Sequence, residues 1–78
     1  MMNNKTAPLE VLVFATSINS TKEANAILEA LLLHKGVKQA NFDLEDVDNI
    51  LRVVSCGITE PEVESIMIRQ NTRCKALV

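Results

Sequence analysis

Two cysteines and one histidine are the side chains of this chain whose chemistry best suits a soft metal ion or a nucleophile. Cys74 should lie at the same end of the fold as the loop 17–20, where one thiol and nearby oxygens form a weak candidate metal site. Cys56 should lie at the opposite end near His34, and a Cys–His pair suits a metal or a nucleophile. Neither thiol has an evident third ligand, so we interpret both as structural residues that are too far apart for a disulfide.

Charged residues suggest two other kinds of site. Lys22 and Arg73 should lie beside the same loop, where the free N–H groups of a helix start could hold an anion. The loop has no glycine to bring its backbone close to a ligand, so we interpret both as solvated charges. The acidic run 45–48 lacks the spacing and the glycine of an EF-hand calcium loop and is typical of a hairpin turn.

Composition excludes several classes of partner. With 8 basic residues, 10 acidic residues and two phenylalanines, the chain offers neither a basic patch for phosphates nor aromatic side chains for base stacking, so no nucleic acid is expected. No apolar run approaches the roughly 20 residues that cross a bilayer, and the first residues do not resemble a signal peptide. We therefore expect no membrane partner and a cytoplasmic protein with reduced thiols.

The hydrophobic pattern predicts one small domain over residues 9–78, after a flexible N-terminal tail over residues 1–8. Short β-branched or alternating segments predict four strands, and apolar residues at helical spacing predict two helices. Strands are expected near 9–14, 38–44, 49–55 and 73–78, and helices near 20–35 and 60–70. The order βαββαβ with right-handed crossovers predicts an α+β, ferredoxin-like sandwich: a four-stranded antiparallel sheet with two helices on one face.

Both predicted helices carry capping signals. Ser20 with Glu23 and Thr59 with Glu62 have the capping-box spacing, in which each side chain satisfies a free N–H group of the first turn. Gly36 follows the first helix and supplies a residue that can end it.

Two segments resemble the heavy-metal-associated (HMA) domain of copper chaperones and metal-transporting ATPases. Residues 36–45, GVKQANFDLE, are similar to the strand that follows the first helix of that family, and residues 58–63, ITEPEV, are similar to the start of its second helix. The resemblance extends over residues 9–78 and implies the same fold. That family binds Cu(I) through a Met-x-Cys-x-x-Cys motif, which would fall here on residues 18–23. Ser20 and Glu23 occupy the two cysteine positions, and their hard oxygen atoms do not hold Cu(I), so the resemblance implies the fold without the metal and no cofactor is expected.

The central strands are apolar on both faces, which predicts a covered outer face of the sheet. We expect Leu9, Val11 and Val13 to face the helices beside Leu51 and Val53. A contiguous interaction surface would then lie on the other side, formed by Leu12, Phe14, Ile50 and Val54.

These features predict a non-enzymatic interaction module that associates through its sheet with itself, as a dimer, or with another protein. One alternative is a small-molecule regulatory domain of the ACT type, which shares the βαββαβ order. Another is a residual weak metal-binding protein that uses Cys74. An acylphosphatase-like enzyme is disfavoured, because the first loop has neither phosphate-cradling glycines nor an arginine.

Overall fold

The computed structural model describes residues 9–45 and 47–77. The predicted flexible tail, residues 1–8, lies outside the described residues. The elements follow in the order β1 (Glu10–Thr16), α1 (Thr21–Leu32), β2 (Val37–Asp43), β3 (Ile50–Ser55), α2 (Glu60–Arg69) and β4 (Cys74–Leu77). The strands form one antiparallel sheet in the order β2-β3-β1-β4, which confirms the predicted ferredoxin-like α+β sandwich.

Local capping determines where the helices begin. Thr59 forms the complete predicted box: its N–H donates to Glu62 Oε1 at 2.9 Å, and the Glu62 N–H donates to Thr59 Oγ1 at 3.4 Å. Ser20 accepts the Glu23 N–H at 3.2 Å and begins α1. Helix α1 ends at Leu32, three residues earlier than predicted, because the chain then turns tightly toward Gly36.

One core joins the two helices to one face of the sheet. Its members are apolar side chains from β1, β2, β3, both helices and the loop before each helix: Phe14, Ile18, Ala24, Ile27, Leu31, Val37, Leu51, Val53, Ile58, Val63 and Met67. Neither helix is long and apolar enough to cross a membrane within the described part of the chain.

The predicted faces are correct for β3 and wrong for β1. Phe14 lies opposite Leu51, and Leu12 lies opposite Val53, so both β1 side chains point toward the helices. Phe14 is fully buried in the core, and Leu12 packs against it. Strand β1 is apolar at five consecutive positions, so no alternation of apolar and polar residues indicates which of its faces is buried. Its pairing with β3 determines which side chains face inward.

The side of the sheet away from the helices, called here the open face, has a different composition from the predicted one. Ile50 and Val54 lie on it as predicted, although Ile50 is itself buried. Strands β1 and β4 add further apolar side chains: Val11, Val13, Ala15 and Leu77. Arg52 interrupts this apolar surface opposite Val13, and it lies 3.9 Å from the Asp43 carboxylate.

Candidate functional site

The loop between β1 and α1 is held at its β1 end by hydrogen bonds and by a buried side chain. The Ser17 N–H donates to the Arg73 carbonyl at 3.1 Å, and the Arg73 N–H donates to Ser17 Oγ at 3.2 Å. Thr16 Oγ1 donates to the Asn49 carbonyl at 2.7 Å and accepts the Ile18 N–H at 3.3 Å. The Ile18 side chain is buried in the core. These contacts hold the start of α1 in a defined position.

Ser20 and Glu23 interact with each other at the start of α1. Ser20 Oγ accepts the Glu23 N–H, and the Ser20 hydroxyl donates to Glu23 Oε1 at 3.3 Å. A hydroxyl and a carboxylate are hard oxygen donors, whereas Cu(I) prefers thiolates and thioethers. This pair therefore acts as a helix cap at the positions where the resemblance places two cysteines.

Cys74 lies at the same end of the sheet as this loop, opposite Thr16, as the sequence predicted. Its side chain is half-buried and packs against the core. Burial raises the pKa of the Cys74 thiol, and the nearby Glu64 carboxylate raises it further. Because the thiolate is the form that binds a soft metal, both effects oppose metal binding at Cys74. Across residues 9–45 and 47–77, no three or more His, Cys, Asp or Glu side chains gather where they could hold a metal ion.

Cys56 lies at the opposite end of the sheet, and its expected partner His34 is engaged elsewhere. The Cys56 N–H donates to the Gly36 carbonyl at 2.8 Å, and its thiol donates to the Lys35 carbonyl at 3.5 Å. His34 Nδ1 accepts the Gly36 N–H at 2.9 Å. Its Nε2 lies 3.5 Å from Glu62 Oε2, so both ring nitrogens have partners other than the thiol. Cys56 and Cys74 are both free thiols.

Glu62 has a second role that the capping pattern alone did not reveal. Hydrogen bonds from Thr59 lower the pKa of the Glu62 carboxyl, and His34 lowers it further. Its two oxygens thereby connect the N-terminus of α2 to the turn after α1. The signal in the sequence was a histidine near the C-terminal end of the first predicted helix and a capping carboxylate at the start of the second.

The charged residues singled out in the sequence are exposed. Lys22 and Arg73 both lie at the surface near the first loop, with the Arg73 backbone hydrogen-bonded to Ser17. In the acidic turn, the Glu45 N–H donates to the Asp43 carboxylate at 3.2 Å. These contacts stabilise turns and do not form a ligand cage.

Comparison with known proteins gives structural matches but no sequence matches. A scan against protein-family models and a search of the curated proteins find no match. The yeast copper transporter domain CCC2A is 21% identical, with a TM-score of 0.78 over 87% of this chain and 94% of that one. The first domain of the human copper chaperone for SOD1 is 20% identical, with a TM-score of 0.76 over 88% and 93%. An HMA domain of a copper chaperone for superoxide dismutase is 18% identical, with a TM-score of 0.77 over 100% of this chain and 76% of that one. At these identities the likeness establishes the architecture, and the chain has the fold of the copper-binding HMA domains.

Proposed function

We propose that this chain is a non-enzymatic protein-interaction module with an HMA-like fold that does not itself bind Cu(I). The observation that carries the proposal is the Ser20–Glu23 cap at the start of α1. The loop is held in place by hydrogen bonds, but its side chains at positions 20 and 23 are engaged with each other and with the helix backbone. An interaction role uses the surface of such a domain and needs no metal site.

The other features of the molecule are consistent with this role. His34 is not available as a base for the Cys56 thiol, because both of its ring nitrogens have other partners. A small-molecule site of the ACT type would need a glycine-bearing first loop, whereas Gly36 and Gly57 both lie at the other end of the sheet. Two free thiols are compatible with a reducing compartment, and the proposal places the protein in the cytoplasm. Association through the apolar side chains of the open face stays a prediction.

The test is a competition for Cu(I) between the reduced protein and a chromophoric Cu(I) chelator. The wild type should leave the metal with the chelator. The double variant Ser20→Cys, Glu23→Cys should withdraw one equivalent, because two thiolates on the same fixed loop supply soft ligands. The new cysteine at position 20 removes a cap worth about 1 kcal/mol, so circular dichroism should first show that the double variant folds.

Two results would contradict the proposal. Stoichiometric Cu(I) retention by the wild type would show that a metal site exists, and Cys74→Ala would then show whether Cys74 provides it. A folded double variant that fails to compete for Cu(I) would show that positions 20 and 23 are not arranged as the resemblance implies.

A further inference from the structure

Strand β4 is an edge of the sheet with backbone groups directed outward. It pairs with β1 alone, and no strand of the described sheet lies beyond it. The Ser17 N–H donates to the Arg73 carbonyl, so the backbone at Arg73 faces β1. The direction of the backbone hydrogen-bonding groups alternates along an antiparallel strand, so the N–H and C=O groups of Lys75 and Leu77 also point toward β1. Those of Cys74 and Ala76 point away from the sheet. An extended segment added there would find two donors and two acceptors.

Helix α2 provides a wall above this edge. Glu64, Ile68 and Thr72 line a groove of about 350 Å³ together with Arg73 and Cys74. Ile68 is 70% exposed and presents an apolar side chain to this groove. An added strand would place alternate side chains beneath Ile68 and beside the half-buried Cys74 and Ala76. Those side chains should be apolar, because Ile68 and the core are apolar and Glu64 repels acidic groups.

The remaining side chains of an added strand would lie on the open face, where the nearest charges are basic. Lys75 is exposed on this face opposite Ala15, and the exposed Arg73, just before β4, lines the same surface depression as Ala15 and Lys75. Acidic residues at alternate positions would therefore be attracted. A second copy of β4 is disfavoured, because two-fold pairing of this short strand would bring the basic side chains of both copies together.

We propose that the free edge of β4, beneath α2, binds an extended segment of a partner protein in which apolar and acidic residues alternate. The inference rests on the proposed interaction role and names the kind of partner. Recognition of this type uses main-chain hydrogen bonds for affinity and alternate side chains for specificity.

The experiment uses the full chain labelled with ¹⁵N and a capped synthetic peptide that alternates valine and glutamate. Addition of the peptide should shift the amide resonances of Cys74 and Ala76, which point outward, more than those of Lys75 and Leu77. A peptide with lysine in place of glutamate should bind about tenfold more weakly. The variant Lys75→Glu should reverse this preference for the acidic peptide.

Two controls test whether backbone pairing is responsible. Ala76→Pro removes an N–H that does not bond to β1, so it should abolish binding while the sheet persists. A valine–glutamate peptide methylated on alternate backbone nitrogens should also fail to bind, and this control holds whether or not the proline variant folds.

Three outcomes would overturn the inference: absence of shifts at Cys74 and Ala76, equal binding of the methylated peptide, or concentration-dependent shifts at these residues without peptide. The last would assign the edge to a second copy of this chain. These outcomes are independent of the Cu(I) competition. A negative peptide result would refute binding at the β4 edge and leave the proposed interaction role intact, whereas Cu(I) retention by the wild type would refute the proposed role irrespective of the peptide result.

Discussion

Adjacent residues of β1 allow a direct test of which side chains face the core. Phe14 is fully buried between the sheet and the helices, whereas Val13 lies on the open face opposite Arg52 and Leu77. The same substitution to glutamate at each position should therefore have opposite consequences. Phe14→Glu should unfold the domain, and Val13→Glu should leave it folded.

The magnitudes follow from burial. A folded chain of 78 residues has a free energy of unfolding of about 4–12 kcal/mol. Truncation of a buried phenylalanine costs about 3–5 kcal/mol, and a buried unpaired carboxylate costs several more, so Phe14→Glu consumes most or all of the stability. Glutamate at position 13 would lie opposite Arg52, and a cross-strand pair of opposite charges contributes about 0.2–1 kcal/mol. That gain offsets the lower strand propensity of glutamate, so Val13→Glu should change stability by no more than about 1 kcal/mol.

Urea denaturation followed by circular dichroism measures both variants, and sedimentation of the wild type and Val13→Glu measures association. If the open face mediates self-association, Val13→Glu should be a folded monomer where the wild type forms dimers. The reasoning would be refuted if Phe14→Glu remained folded while Val13→Glu unfolded, since β1 would then present its other face to the helices.

Three further predictions concern the two ends of the fold. Thr59 and His34 lower the pKa of the Glu62 carboxyl, so the stability advantage of the wild type over Glu62→Gln should be complete above the ordinary carboxyl pKa near 4.5. This advantage should shrink as the pH falls through the lowered pKa of Glu62. Urea denaturation at several acidic pH values measures it, and an advantage that grows on acidification would contradict the prediction. Gly36→Ala should destabilise the domain by about 2 kcal/mol or more in the same assay, because a Cβ there would lie 2.5 Å from the Ile58 nitrogen, and an unchanged midpoint would refute this. Cys74 should react with iodoacetamide more slowly than cysteine in a short peptide, because its pKa is raised and its thiol half-buried, and equal rates measured by mass spectrometry would contradict that.

Local patterns determined most of the architecture. The Ser20 cap and the Thr59 capping box begin the helices at the predicted residues, because a cap depends on residues three positions apart in the chain. The alternation of β2 and the helical spacing of α1 and α2 placed their elements within a few residues of the observed bounds. The oxygen-bearing side chains at positions 20 and 23 were also visible in the sequence, since they depend only on residue type.

Tertiary pairing decided what local patterns left open. Strand β1 is apolar on both sides, so only its register against β3 turns Phe14 inward and leaves Val13 on the open face. The contact between His34 and Glu62 joins the turn after α1 to the first turn of α2. The outward direction of the Cys74 and Ala76 backbone depends on how β4 bonds to β1. Sequence periodicity identifies which residues share a face of a strand. Which of the two faces is buried depends on the elements that pack against the strand, because burial is a property of the assembled core.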